Sequence, residues 1–232
     1  MGKAILALVL LLQAADDKAA VDAAVKSFSK AVANPNPSAR ATAILELSKT
    51  PADRTLKAIL PYLNQDVTDV RIAAAKAMTE FGDWKKLVTP SLAGALESNG
   101  KDAKVVSAIL DSIGKLADPA SLQTVHAKFR EPDARVAKAA IAAAGTMRQK
   151  ESMDALVELQ KDVQKFLKNK QAGPYRDDKG QPGDDAAAKA RLDDIQKTII
   201  KAFQDITKER WATANEWEIW WGKKKATFEI PK

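Results

Sequence analysis

The sequence offers few residues that could do chemistry. It contains one histidine, His126, and no cysteine, which excludes thiolate nucleophiles, a disulfide framework and cysteine-based zinc sites. A lone imidazole in the stretch LQTVHAKF cannot assemble a histidine metal cluster, and it reads as a packing or surface group. Carboxylates stand in adjacent pairs: Asp177-Asp178, Asp184-Asp185 and Asp193-Asp194. The segment RDDKGQPGDD lacks the alternating acids and closing glutamate of an EF-hand calcium loop. Turn and helix-cap duty is the expectation for the two pairs in it. On a helix, neighbours in sequence diverge, so Asp193 and Asp194 do not share a proton. No glycine-rich phosphate loop and no Ser/His/Asp arrangement can be assembled. The sequence therefore assigns no catalytic, metal-binding or cofactor-binding residue, and no cofactor is expected.

What remains is lysine and tryptophan. Lys and Arg number 37 against 30 Asp and Glu, a formal net charge of +7 with pI ≈ 9.4, which invites an anionic partner. Lys161, Lys165 and Lys168 share one helical face, as do Lys197 and Lys201, and Lys223-Lys224-Lys225 is a short run. Stripes of this kind are solvated faces unless arginine and aromatic residues are interleaved with them, and here they are not. Nucleic acid is an unlikely partner on that ground. The eleven residues WATANEWEIWW, from Trp211 to Trp221, hold four of the five tryptophans. Trp217, Trp220 and Trp221 stand at i, i+3 and i+4, on a single face of one helical turn. Three rings so placed suit burial as a structural cap, with an exposed sugar-binding platform as the alternative.

These residues must be held by helices. Alanine is abundant and aromatics make up 6%, a composition for helices that approach closely. The segment VRIAAAKAMTEFGD (Val70–Asp83) returns as VVSAILDSIGKLAD (Val105–Asp118) and as VAKAAIAAAGTMRQ (Val136–Gln149). Shared slots are Val70/Val105/Val136, Ala73/Ala108/Ala139, Met78/Ile113/Ala144 and Phe81/Leu116/Met147. Their offsets of 0, 3, 8 and 11 fall on one helix face. A weaker copy, ARATAILELSKT, begins at Ala39, so the starts are 31, 35 and 31 residues apart. A second helix follows each copy, announced by Thr50-Pro51, by Asp83 before Trp84, and by Asp118-Pro119. Pro61 and Pro90 should kink those helices or shift their boundaries. A fixed period near 33 residues in helix–turn–helix units means a repeat array.

This unit resembles the HEAT repeat, in the short alanine-rich form common in bacterial proteins; Asp69-Val70-Arg71 followed by AAAKAM is close to that pattern. The resemblance covers residues 38–168. It implies an all-α fold, a right-handed, armadillo-like α-solenoid of about four helical hairpins. The family places an arginine after the first valine to link neighbouring turns. Arg71 and Arg40 fit, whereas Val106 and Ala137 fill the slot in later copies, so no continuous polar ladder is expected. The ending Ile206-Thr207…Trp217-x-x-Trp220-Trp221 resembles that of exported bacterial HEAT-repeat proteins, with Lys208 in place of a glycine. The enzymatic deoxyhypusine hydroxylases of this repeat class need several His-Glu iron ligands, which are absent. Bilin lyases share the repeat and remain a third reading.

The flanks read as caps, since a solenoid's terminal repeats expose apolar faces. Residues 1–15 match a probable signal peptide: Lys3, the apolar run Ala4–Leu12, then Ala14-Ala15, with cleavage after either alanine. The run is too short for a stable membrane span, so the mature chain is expected to lack a transmembrane segment and to be exported, periplasmic or extracellular. Residues 16–37 form an N-terminal capping helix, 169–185 a loop, and 186–232 C-terminal capping helices with the Trp cluster. Asp185 is the expected cap of a helix carrying Leu192, Ile195, Ile199, Phe203 and Ile206.

The function expected is a non-catalytic protein-interaction scaffold, its partner another protein. The alternative is binding of an anionic polymer through the lysine stripes. Residues expected on the interaction surface are Lys57, Lys86, His126, Lys161, Lys165 and Lys168, with Trp217, Trp220 and Trp221 closing the end.

Overall fold

The structure, a computed structural model, describes residues 18–177, 179–211 and 213–231. The predicted signal peptide and the start of the N-terminal cap lie outside them. Eleven helices are described: α1 (residues 18–31), α2 (Pro37–Ser48), α3 (Asp53–Ile59), α4 (Thr68–Ala77), α5 (Lys85–Ser98), α6 (Ala103–Leu116), α7 (Leu122–Ala127), α8 (Ala134–Met147), α9 (Ser152–Lys168), α10 (Asp185–Thr207) and α11 (Ala214–Lys224). The fold is all-α and HEAT-like, as the repeat implies. The chain divides into two compact units at Trp84–Lys85.

The helix starts follow from short polar side chains that accept otherwise orphaned backbone N–H groups. Asn36 accepts from Ser38 with Pro37 at the first helical position, Asp102 from Val105, and Asp133 from Arg135 and Val136. Two expected boundaries move. The second helix of the first hairpin starts after Ala52 rather than at Thr50-Pro51, because the Thr55 hydroxyl accepts from the Ala52 N–H and donates to the Thr50 carbonyl. Asp184, not Asp185, caps α10, accepting from the Ala187 N–H. Asp83 lies inside a 3₁₀ segment, Met78–Trp84, with a kink at Phe81, rather than ahead of a helix start. Asp118 does cap, at the 3₁₀ turn Pro119–Ser121 that leads into α7. Pro61 sits in the 3₁₀ turn Leu60–Leu63, and Pro90 lies within α5.

In the first unit α4 packs on α2, and α3 follows α2 as its hairpin partner. Val70, Ala74, Met78 and Phe81 are buried there together with Ile44, Leu56 and Ile59. Arg40 joins the layers. Its guanidinium donates to both carboxylate oxygens of Asp66, at 2.7 and 2.5 Å, and to the carbonyls of Asn34 and Pro35. That fork is the geometry guanidinium favours. The Arg40 hydrogen bonds hold the Asp66 carboxyl below its usual range.

In the second unit the first helices α6, α8 and α10 stack in order, with α7, α9 and α11 as their return helices and α5 against α6. Val105, Ile109, Ile113 and Leu116 are buried, and so are Val106 and Ala137 in the slot that Arg40 and Arg71 hold in the earlier copies. The helices come close at two glycines. A Cβ on Gly114 would lie 2.9 Å from Ala143 Cα, and one on Gly145 would lie 2.9 Å from Ala202 Cα. Glycine at these positions lets backbone meet backbone. Ala202 stands at offset 7 from Ile195, as Ala143 does from Val136, and Ile195, Thr198, Phe203 and Ile206 then repeat the 0, 3, 8, 11 slots. The expected capping helix α10 thus continues the repeat plan, with α11 as its return helix.

The segment between α9 and α10 is no loose linker. Tyr175 is buried, and its hydroxyl donates to the Phe129 carbonyl at 3.3 Å; burial pushes its phenol up to about 12. Arg176 pairs with Asp133 in a parallel bridge, its N–H donating to the Pro132 carbonyl at 2.6 Å. Asp177 accepts from the N–H groups of Lys179 and Gln181, the turn duty expected of it.

Candidate functional site

The lysines separate into neutralised and open ones. Lys57 is exposed and pairs with Asp53 at 2.8 Å. Lys161 lies between Glu158 at 3.2 Å and Glu218 at 3.5 Å, with Glu158 the larger cause of its raised pKa. Lys197 and Lys201 stand beside Asp194 and Asp205. Lys86, Lys165 and Lys168 are exposed, and among the described residues no carboxylate is recorded within ion-pair distance of them. The candidate surface is therefore not one stripe. Lys57 belongs to the first unit, and the open pair Lys165–Lys168 to the last two turns of α9.

The His126 ring is half-buried, 2.9 Å from the Ser152 hydroxyl and tilted against Phe129. Burial lowers its pKa. The residue ties α7 to the start of α9. Ser152 lies 26 residues further along the chain, so no local spacing could reveal this contact.

The tryptophans are built into the end of the second unit. Thr213 and Glu216 form a capping box that starts α11. Trp217 is fully buried, stacks on Phe203 with 5.0 Å between ring centres, and donates its indole N–H to the Trp211 carbonyl at 3.1 Å. Trp221 is buried and reaches α9, its N–H donating to Asp154 Oδ1 at 2.8 Å. Trp220 is half-buried between Trp217, Trp221 and Phe228. Two of the three rings are thus turned inward, leaving no open row of flat faces for a sugar.

Sequence reasoning missed how this end is fastened. Lys225 pairs with Asp154 at 2.8 Å, and Lys225 first, then the Trp221 indole, hold the Asp154 carboxyl below its usual range. The final residues fold back on the α8–α9 turn. Lys150 Nζ donates to the Phe228 carbonyl at 2.7 Å, and Arg148 donates to the Pro231 carbonyl.

Among the described residues no group of three or more His, Asp or Glu side chains is placed to hold a metal ion. None of the described helices is long and apolar enough to cross a membrane.

Paired helices with buried alanine-rich faces, repeated along the chain, define an α-helical repeat protein. Residues 25–104 match the family model for HEAT repeats. Together with the all-α repeat fold, that match marks this segment of the chain as HEAT repeats. No curated protein matches it significantly.

Proposed function

We propose that this protein is a non-catalytic interaction scaffold, exported from a bacterial cell, that binds another protein on the exposed sides of its return helices. HEAT repeats generally mediate protein interactions, and repeat arrays of this kind present extended surfaces to their partners. The observation that carries the reading is the division of labour within each pair. In the second unit α6, α8 and α10 are occupied with one another, while the return helices keep exposed polar faces such as that of Lys165 and Lys168. Export rests on the apolar run Ala4–Leu12 and the small residues after it.

Immobilised protein exposed to a native envelope fraction should retain one or a few proteins in near-stoichiometric amount. Replacing Lys57, Lys86, Lys165 and Lys168 together by glutamate should reduce that capture at least tenfold with the melting temperature unchanged. Capture equal to the blank resin, or capture indifferent to the four replacements, contradicts the reading. Because Lys165 and Lys168 are open cations, an anionic polymer is the second reading. It predicts heparin binding that survives physiological salt, whereas scattered surface lysines give weak binding that collapses with salt.

A further inference from the structure

A cavity of about 400 Å³ lies between the last turn of α9 and the first two turns of α10, within the second unit. Its floor is apolar: Phe166 and Leu167 from α9, Ala188 and Leu192 from α10. Gly173, in left-handed backbone at φ +68, presses against the same wall; a Cβ there would come within 3.0 Å of Leu192 and 3.5 Å of Phe166. The segment anchored by Tyr175 therefore braces the floor. The rim is polar, with Lys170, Gln171, Lys189 and Asp185.

The rim charges are not equivalent. Lys189 is tied to Asp193 at 2.6 Å. Asp185 is the acid facing the opening. Lys170 is exposed, and no ion pair is recorded for it among the described residues. Its backbone is fixed at φ +53, with its N–H donating to the Leu167 carbonyl. Lys170 is thus the lining cation without a recorded carboxylate partner. An apolar floor with the open Lys170 ammonium at its lip is complementary to an amphiphile carrying one negative head. The volume is at the small end of the range for ligand sites, roughly 300–1,000 Å³, which favours a short apolar body.

We infer that this cavity binds a small amphiphilic carboxylate, a medium-chain fatty acid in class, with its chain on Phe166, Leu167, Ala188 and Leu192 and its carboxylate at Lys170. This site is separate from the protein-binding reading above and stands or falls without it.

Decanoate is the probe, titrated into the full chain by calorimetry and followed by amide chemical shifts. Saturable one-site binding is expected, with shift changes centred on residues 166–192. Acetate should not bind, and decanol should bind at least tenfold more weakly, since it lacks the charge. Lys170→Gln should weaken decanoate at least fivefold and leave decanol unchanged. Ala186→Trp, at an exposed wall position, should fill the opening and abolish both with the melting temperature preserved. Non-saturable decanoate binding, equal affinity for decanol, or unaltered binding by Lys170→Gln or Ala186→Trp would each overturn the assignment.

Discussion

The two units solve the same packing problem with different chemistry. In the first, α4 lies on α2 and a guanidinium fork from Arg40 spans to Asp66. In the second, no such fork stands at the equivalent slot, because Val106 and Ala137 are buried there. Contact comes instead from glycine: Gly114 meets Ala143, and Gly145 meets Ala202. The first device is polar, so it responds to pH. The second is steric, and an added atom forces the backbones to shift. One repeat plan therefore permits two kinds of cohesion, and the slot occupied by arginine or an apolar residue reports which is used.

The steric device gives the largest expected effect. Gly145→Val places branched carbon against backbone that cannot swing away, at a cost near the top of the usual overpacking range, about 3 kcal/mol. Thermal melting should fall by roughly 6–12 °C. Gly114→Ala adds one carbon 2.9 Å from Ala143 Cα and should cost about 1–2 kcal/mol by denaturant titration. Wild-type melting of both variants would show that the helices are not held at these crossings.

A further variant tests burial within the second unit. Gln160 on α9 is 3% exposed, and neither end of its amide has a hydrogen-bond partner. An orphaned buried amide is unfavourable. Gln160→Leu should therefore raise stability by about 1 kcal/mol, and a loss on that substitution would reveal a hydrogen bond to the amide.

The polar device gives the smallest effect, and it depends on pH. The Asp66 carboxyl is held low by Arg40, so its stabilising effect is complete above the unfolded carboxylate value near 3.9 and is lost as pH falls through the folded value. Asp66→Asn should melt earlier than the parent at pH 7, and the gap should narrow at pH 3. A gap that is constant with pH would mean the pair contributes nothing through charge.

Much of this was legible in the sequence. The slots at Val70, Val105 and Val136 located three first helices because each copy starts in one helix and follows its period, although the first runs on into the 3₁₀ segment Met78–Trp84. The copy at Ile195 has the same slots, yet it begins 59 residues after Val136, since α9 is long and the Tyr175 segment intervenes. It therefore falls outside the period near 33 residues that the other copies share. Contacts between distant elements were not legible. Asp66 answers Arg40 from 26 residues away, and Asp154 meets Trp221 across 67. The face holding Trp217 was evident from i, i+3, i+4 spacing, but which helix would receive Trp221 depended on how α11 turns back, and no local pattern encodes that.

On this reading α10 and α11 are a further pair of the repeat array rather than an appended platform. Hydrogen exchange on a chain ended after Thr207 tests it most directly. Removing Trp217 uncovers Phe203, and loss of a buried tryptophan costs about 3–5 kcal/mol. Amides of α10 should lose protection by at least a hundredfold, and those of α8, which packs directly on α10, should follow, with aggregation on warming. Unchanged protection in α8 and α10 would contradict the account and return WATANEWEIWW to a surface role.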